Sequence, residues 1–218
     1  MKAVIFDLDG TLLNTLEDLA SSMNYVLRNY HFPEHSLDQY RFFVGNGMVN
    51  LVKKAAGLTS QEDSLLHQMF TEMKEEYNKN WHKFTQPYDG IKEMLLELSG
   101  GGICLTILSN KPDCFTEDIV HHFFPHIHFQ CIMGASDSIP KKPDPSGAEY
   151  IIRKTGFLNQ DFIFIGDSQV DIQTAIHAKI FPAGVLWGFR DRIELEKAGA
   201  KYLFYHPNEI SSFLLKSN

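Results

Sequence analysis

Residues 3–11 read AVIFDLDGT, a short apolar run that is followed at once by two acids and a glycine. The run Ala3–Phe6 does not alternate with polar residues, which is typical of a strand buried on both faces of a parallel sheet. Asp7 and Asp9 are two residues apart and therefore point to the same side of an extended chain. Gly10 allows the chain to leave the strand sharply. Because sites in open α/β sheets form at the carboxyl ends of strands, the stretch predicts a buried strand with a functional site at its end.

Five further apolar runs have the same character and predict further strands: Ile103–Leu108, Phe129–Met133, Phe162–Ile165, Ala183–Leu186 and Tyr202–Phe204. Helical patterns lie between them, as in Ile91–Leu98, where apolar residues recur at intervals of three and four. Strands that alternate with helices are typical of the α/β class. We therefore expect a Rossmann-like, doubly wound parallel sheet with helices on both faces.

One region interrupts this alternation. Residues 15–84 contain no convincing strand, and apolar residues there recur at helical spacing. The helical segments are Leu16–Tyr30, Asn46–Ala56 and Ser60–Lys79. An insertion of this length inside an α/β unit is best explained as a separate helical domain. The prediction is a helical cap domain over 15–84 and an α/β core formed by 1–14 together with 85–218.

Composition excludes several classes of protein. The 218 residues are 44% apolar and 22% charged, which is ordinary for a globular protein, and no apolar run approaches the roughly 18 residues of a membrane span. A net charge of −7 disfavours nucleic acid and membrane surfaces as partners. Three cysteines without a Cys-x-x-Cys motif indicate a reducing compartment, and the early acids disfavour a secretory signal. We expect a cytoplasmic protein.

A second group of acids follows another predicted strand. Gly166, Asp167 and Asp171 come directly after Phe162–Ile165, which repeats the arrangement of a strand end, a glycine turn and acids. Together with the first pair, four carboxylates would meet at the ends of two strands and repel one another. A hard cation that prefers oxygen ligands relieves such repulsion, and Mg²⁺ fits a site with few carboxylates and several waters.

Two other strand ends carry groups suited to an anion. Ser109 and Asn110 follow Ile103–Leu108 and could hold phosphate oxygens through hydroxyl, amide and backbone N–H groups. Lys141 and Lys142 precede a proline, and a lysine beside a carboxylate cluster would offset its charge and neutralise a phosphate. Alone, either motif is weak, because loops and surfaces are rich in the same residue types.

The four motifs together resemble the haloacid dehalogenase superfamily, specifically its phosphoglycolate phosphatase-like branch, in which a helical cap is inserted after the first motif. The matching stretches are, in chain order, Asp7-Leu8-Asp9-Gly10-Thr11, Ser109-Asn110-Lys111, Lys142-Pro143, and Gly166-Asp167-Ser168 with Asp171. The branch places its lysine immediately before the proline, which favours Lys142 over Lys141. The resemblance covers nearly the whole chain, and its motifs are specific for the superfamily but much less so for a substrate.

The resemblance implies a phosphoric monoester hydrolase that works through an aspartyl-phosphate. Asp7 would attack phosphorus in line, while Asp9 would protonate the leaving oxygen and then deprotonate the attacking water. The implied ligands of Mg²⁺ are Asp7, Asp9 through its backbone carbonyl, Asp167 and Asp171, the last of which would orient the ion or its waters. The implied phosphate-binding residues are Ser109, Asn110 and Lys142.

Substrate choice is expected to lie in the cap. Gly45, Asn46 and Gly47 interrupt two helical patterns and resemble the substrate-specificity loop of the branch, although a plain turn between helices would also place glycines here. The expected partner is a small phosphorylated metabolite, with 2-phosphoglycolate as one candidate, and the chain is expected to be a monomer or a weak dimer.

Other activities remain open at this point. A sugar-phosphate mutase of the β-phosphoglucomutase type keeps both Asp7 and Asp9, and a pyrophosphatase is a further alternative. Asp9 argues against dehalogenase and phosphonoacetaldehyde hydrolase relatives, which lack an acid at this position. The complete set of acids also argues against a binding protein without catalytic activity.

Overall fold

The structure, a computed structural model, describes residues 1–58 and 64–216. The strands in this part of the chain are β1 (Ala3–Phe6), β2 (Leu13–Asn14), β3 (Gln86–Pro87), β4 (Cys104–Pro112), β5 (Cys131–Ala135), β6 (Phe162–Gly166), β7 (Phe181–Val185) and β8 (Tyr202–Phe204). Six of them form one parallel sheet in the order β5-β4-β1-β6-β7-β8. This sheet confirms the predicted α/β fold class.

Helices separate the strands. The α-helices of the described residues are α1 (Leu16–Asn29), α2 (Leu37–Phe43), α3 (Met48–Ala56), α4 (Ser64–Asn80), α5 (Ile91–Gly100), α6 (Asp113–Phe123), α7 (Ser146–Thr155), α8 (Gln169–His177), α9 (Arg192–Ala198) and α10 (Pro207–Leu215). Within the same described ranges, none of these helices is long and apolar enough to cross a membrane. The predicted helix Ser60–Lys79 corresponds to α4, and its residues 60–63 lie outside the described part of the chain.

Strand β1 is buried on both faces. Val4 and Phe6 pack into the larger hydrophobic core, with residues of α5, α6 and α10. Ala3 and Ile5 point the other way and pack into a second core, with residues of α7 and α8. Because helices cover both faces of the sheet, every position of the strand is apolar and the usual alternation is missing.

Helices α1–α4 follow one another between β2 and β3. These two short strands pair antiparallel, with Leu13 opposite Pro87 and Asn14 opposite Gln86, so the two chain segments that lead into and out of the helices run side by side. The apolar side chains of the four helices continue the larger core. The predicted boundaries of the cap, at 14/15 and 84/85, fall beside this ribbon, and the division into domains stays a prediction.

Strand β4 and helix α2 are among the elements that differ from the sequence prediction. Strand β4 does not end at Leu108 but continues to Pro112, because Pro112 pairs with Ala135 of β5 after a register shift. Helix α2 was not predicted, because Tyr40 is its one buried residue and no apolar stripe marks it. Its signal was a capping box, in which Ser36 and Gln39 bond each other's backbone N–H groups.

Candidate active site

The register of the sheet brings the predicted site residues to one edge. Phe6 of β1 lies opposite Ile107 of β4 on one side and Ile165 of β6 on the other. The residues that follow these three positions therefore emerge at the same level. They include Asp7, the stretch 109–111 and Asp167, and this level is the carboxyl edge at which open α/β sheets form their sites.

Three carboxylates meet at this edge. Asp7, Asp167 and Asp171 are all buried, and one oxygen of each lies within 4.8 Å of the others. Lys142 is buried beside them, with its Nζ 2.8 Å from Asp7 Oδ1 and 2.6 Å from Asp171 Oδ1. Lys141, the alternative that the sequence offered, is exposed. The lysine next to the proline is thus the one that enters the carboxylate cluster.

The acids repel one another despite this lysine. Burial, with the negative charge of Asp171 as the next cause, raises the pKa of Asp7 to about 7. Burial and the charges of Asp171 and Asp7 likewise raise the pKa of Asp167 well above its ordinary value. Burial alone would lower the pKa of Lys142, but the charges of Asp171 and Asp7 raise it. The cluster carries more negative charge than its lysine can offset.

The donor set fits a divalent cation. Asp167 Oδ2 accepts a hydrogen bond from the backbone N–H of Phe189 at 2.7 Å, and within the described residues no hydrogen bond engages Oδ1. Asp171 is bound more fully, because Lys142 contacts Oδ1 while the N–H and hydroxyl of Ser168 donate to Oδ2. Hard carboxylate oxygens in a buried, net negative cluster are suitable ligands for such an ion. Asp7 and Asp167 have the free oxygens, and Asp171 orients Lys142.

Asp9 lies in a different environment from Asp7. Its two oxygens are 2.9 and 3.0 Å from Lys111 Nζ, and its side chain is 13% exposed, against 2% for that of Lys111. The ammonium group of Lys111 also lies 4.7 Å from the ring centre of Tyr77, a residue of α4. The two acids of the first motif are thus separated, with Lys142 beside Asp7 and Lys111 beside Asp9.

Lys111 was quoted in the second motif but was not predicted as a site residue. The sequence signal was its place directly after Ser109 and Asn110. Its pairing with Asp9 depends on the register shift by which β4 continues past Leu108. No local sequence pattern predicts this shift. The buried ion pair therefore had to be seen in three dimensions.

Ser109 and Asn110 are both buried at this edge. The side chain of Asn110 binds backbone groups of two segments, at Gly45 and at Lys142. The Asn110 amide donates to the carbonyls of Gly45 and Lys142, at 3.1 and 3.0 Å, and accepts from the N–H of Lys142 at 2.9 Å. A role of this amide in phosphate binding would require it to leave those partners. Ser109 Oγ accepts from the N–H of Lys111 at 3.2 Å and lines the cavity described below.

Gly10 is required by the close packing of the site. Its φ is +86°, a conformation that favours glycine, and a Cβ at this position would lie 2.3 Å from Asp167 Oδ2. The turn that follows the first acid pair therefore touches the second acid group directly. Any side chain here would push Asp167 away from Asp7.

A small cavity separates the site from helices α1–α3. Its volume is about 30 Å³, which is room for a water molecule or two. Its lining consists of Asp7, Asp9, Leu19, Val44, Gly45, Gly47, Met48, Leu51, Ser109, Asn110, Lys111 and Pro112. Of the predicted specificity loop, Gly45 and Gly47 thus face the cavity, whereas Asn46 lines a separate groove of about 190 Å³.

Arg190 joins this loop to the α/β core and was not predicted. Its guanidinium group donates to the carbonyls of Arg41 and Val44, the latter at 2.8 Å. The same group lies over the aromatic ring of Phe42. The neighbouring Phe189 donates to Asp167. One short segment therefore contacts both the acid cluster and the loop that covers the cavity. An arginine on a surface loop has no sequence signal that would reveal such partners.

The carboxyl edge of the parallel sheet thus brings together paired acids, buried lysines and a covering loop, which are groups that phosphoryl transfer can use. The family model described as haloacid dehalogenase-like hydrolase matches residues 4–185. The chain therefore belongs to this family, and it is a phosphatase of the phosphoglycolate phosphatase-like branch.

Individual relatives agree with this assignment. The chain is 31% identical over 198 residues to the phosphoglycolate phosphatase of Vibrio cholerae, which covers 87% of this chain and 86% of that protein. It is 30% identical over 192 residues to that of Pseudomonas putida, with 86% and 70% covered. The crystal structure of a predicted phosphoglycolate phosphatase from Haemophilus somnus superposes with a TM-score of 0.87 at 29% identity, covering 98% of this chain and 97% of the other.

Proposed function

We propose that the chain is a Mg²⁺-dependent phosphatase that hydrolyses small phosphate monoesters through an aspartyl-phosphate on Asp7, with 2-phosphoglycolate as the foremost candidate substrate. The observation that carries the proposal is the separation of the two acids. Lys142 lies 2.8 Å from Oδ1 of Asp7, whereas a different lysine, Lys111, binds both oxygens of Asp9. A nucleophile needs a free oxygen, and an acid/base needs a position beside the leaving group.

In the first step, a carboxylate oxygen of Asp7 forms a bond to phosphorus while the bond to the leaving oxygen breaks. Asp9 donates its proton to that oxygen, and the alcohol departs. In the second step, Asp9 removes a proton from water, the water oxygen bonds to phosphorus, and the bond to Asp7 breaks. Inorganic phosphate and both acids in their starting state result.

Lys142 would neutralise the oxygens of the transferring group, and Ser109 would donate its hydroxyl to one of them. Asp7, Asp167 and the backbone carbonyl of Asp9 would hold Mg²⁺, with Asp171 orienting its surroundings. When bound, the ion supplies charge neutralisation to the phosphoryl oxygens. Predicted phosphate binding by Asn110 is part of the proposal only if its amide leaves the carbonyl of Gly45.

The substrate proposal is supported by the names of the relatives, which are phosphoglycolate phosphatases at about 30% identity. The net charge of −7 argues against nucleic acid or a membrane surface as the partner. We propose a monomer or weak dimer as the working state.

The test is a hydrolysis screen with purified protein in Mg²⁺, over 2-phosphoglycolate, hexose phosphates, nucleotides and pyrophosphate, with release of inorganic phosphate as the readout. We expect release from several monoesters and the highest kcat/KM for 2-phosphoglycolate. A mutase must keep the aspartyl-phosphate away from water until a sugar accepts it. Clean conversion of glucose 1-phosphate to glucose 6-phosphate with little free phosphate would therefore contradict the proposal, as would activity on pyrophosphate alone.

A further inference from the structure

The cavity above Asp9 has two chemically different walls. The wall formed by the α1–α3 region is apolar, with side chains of Leu19, Val44, Met48 and Leu51. Among the described residues that line the cavity, Lys111 is the one cation. Lys142 lies outside this lining, beside Asp7 and Asp171. The space next to Asp9 therefore has its own positive charge, distinct from the one beside the nucleophile.

Lys111 is held firmly in this place. Its side chain is 2% exposed, with the carboxylate of Asp9 on one side and the ring of Tyr77, at 4.7 Å, on the other. Burial alone would lower the pKa of Lys111, but the charge of Asp9 raises it, so the group is an ammonium ion at neutral pH. An ammonium ion has three N–H donors, and the two oxygens of Asp9 accept two hydrogen bonds from Lys111. The hydroxyl of Tyr77 is the other polar neighbour of this ammonium group, and a substrate anion would compete with it.

We infer that Lys111 binds an anionic substituent, a carboxylate, on the leaving-group alcohol of the substrate. The inference rests on the proposed function, in which Asp9 donates a proton to the leaving oxygen. Lys111 contacts both oxygens of Asp9 and would therefore lie beside the leaving oxygen that Asp9 protonates. A carboxylate one carbon away from the leaving oxygen then comes within reach of the ammonium group, since only two bonds separate the leaving oxygen from the carboxyl carbon.

The surroundings define the kind of anion. A buried ammonium ion forms charge-assisted hydrogen bonds with a carboxylate, and the apolar wall gives no further cation for a group of higher charge, such as a second phosphate. A cationic substituent would be repelled by Lys111, and the carboxylates that line this cavity are Asp7 and Asp9, which the proposed reaction already uses. The site should therefore prefer small phosphorylated hydroxy acids over neutral and cationic phosphate esters of similar size.

Lys141 is the other lysine near the covering loop. Its Nζ lies 3.3 Å from where a Cβ of Gly47 would be, but the residue is exposed and does not line the cavity. Water screens an exposed ammonium ion far more than a buried one. Lys141 is therefore the matched control, because it is a lysine close to Gly47 of the covering loop without a position inside the cavity.

The experiment compares 2-phosphoglycolate with ethyl phosphate, which has the same number of carbons and no carboxylate, and with phosphoethanolamine, which carries a positive charge. For wild type we expect kcat/KM to fall in that order. Lys111→Met should lower kcat/KM for 2-phosphoglycolate about 10- to 100-fold more than for ethyl phosphate, and it should narrow the gap between ethyl phosphate and phosphoethanolamine. Lys141→Met should leave these ratios unchanged. Lys111→Gln, which keeps a polar end, serves if the Met variant does not fold.

Several outcomes would overturn the inference. An equal loss on 2-phosphoglycolate and ethyl phosphate would mean that Lys111 acts only through Asp9. A loss of the preference in Lys141→Met would place the anion at the mouth of the cavity. Wild-type protein that hydrolyses ethyl phosphate as well as 2-phosphoglycolate would remove the anion subsite but leave the phosphatase proposal intact. Failure to hydrolyse any monoester would instead refute the proposed function itself.

Discussion

Asp7 has the properties that a nucleophile requires at a strand end. It follows β1 directly, lies against Lys142 at 2.8 Å, and is held by the backbone N–H of Leu8 on the same oxygen, Oδ1. Within the described residues no hydrogen bond engages the other oxygen, Oδ2, which is therefore free to attack. An amide in place of the carboxylate keeps the size of the side chain but cannot form the acyl phosphate.

Asp7→Asn should therefore lower kcat by at least about 10³-fold, measured as phosphate release. The fold should persist, because Lys142 keeps Asp171 as its partner and one of the repelling charges is removed. Circular dichroism and thermal unfolding should give a Tm close to that of wild type. Substantial residual turnover in a well-folded variant would exclude the aspartyl-phosphate route.

At the scale of residues, the sequence was informative where chemistry follows a strand end directly. Asp7 and Asp167 could be predicted because a glycine turn and an apolar run flank them. The roles of Lys111 and Arg190 could not, because their partners are Asp9, Tyr77 and the carbonyls of a distant loop. Contacts between residues that lie far apart in the sequence leave no periodic signal.

The loop between α2 and α3 is the element that covers the cavity. Gly45 and Gly47 have φ values of +111° and +85°, which are conformations that favour glycine. A Cβ on Gly47 would lie 3.2 Å from the carbonyl oxygen of Asn110 and close to Lys141. The loop is therefore both conformationally restricted and in close contact with the core.

Gly47→Val should disturb this loop and lower kcat/KM for 2-phosphoglycolate about 10-fold or more, because a β-branched residue disfavours positive φ and leaving-group contacts are lost. Activity on p-nitrophenyl phosphate should fall less. Asn46→Ala is the companion variant, and because Asn46 lines a separate groove we expect a smaller effect. An equal fall on both substrates, or no change with either, would show that the loop is only a turn.

Asp18 connects α1 to the segment that leaves the helical region. Its buried carboxylate accepts hydrogen bonds from the N–H of Thr85 at 2.8 Å, the hydroxyl of Thr85 at 2.7 Å and the N–H of Phe84 at 3.1 Å. Loss of the carboxylate would leave these buried donors without an acceptor. The segment would then lose its fixed path beside β2.

Asp18→Ala should lower the free energy of unfolding by about 3 kcal/mol and the Tm by roughly 10 °C. The measurement is thermal or denaturant unfolding followed by circular dichroism. Asp38→Ala is the control, because the side chain of Asp38 is 91% exposed and its contact with Arg41 is long, at 3.8 Å. Similar losses in the two variants would contradict the assigned role of Asp18.

The helices and strands that could be predicted are those whose apolar residues form a regular pattern. Helix α1 has a continuous apolar stripe and was found, whereas α2 buries Tyr40 alone and was missed. The pairing of β2 with β3 was also missed, since two-residue strands contain too few side chains to form a pattern. Pairing across some seventy residues is decided by where the helices between them place the two ends.

At the scale of the whole molecule, the fold brings together more carboxylates than it provides ammonium groups to neutralise. Asp7, Asp167 and Asp171 converge from two strand ends, and Lys142 is the one ammonium ion in contact with them among the described residues. Burial and mutual repulsion raise the pKa values of Asp7 and Asp167. A cation that binds these acids should therefore stabilise the folded protein as well as support catalysis.

Chelation should abolish activity, and Mg²⁺ should restore it. Ca²⁺ should restore it poorly, because Ca²⁺ is larger, takes more ligands and would misplace the nucleophile relative to the phosphate. Independently of activity, Mg²⁺ at about 100 times its Kd should stabilise the fold by about 2.7 kcal/mol, a rise in Tm of roughly 5–10 °C. Asp167→Asn should lose most of this rise, since it removes one charge and one ligand, whereas exposed Asp38→Ala should keep it. Full activity in excess chelator, or the same Mg²⁺-dependent rise in Asp167→Asn, would mean that the acids at this edge do not hold the ion.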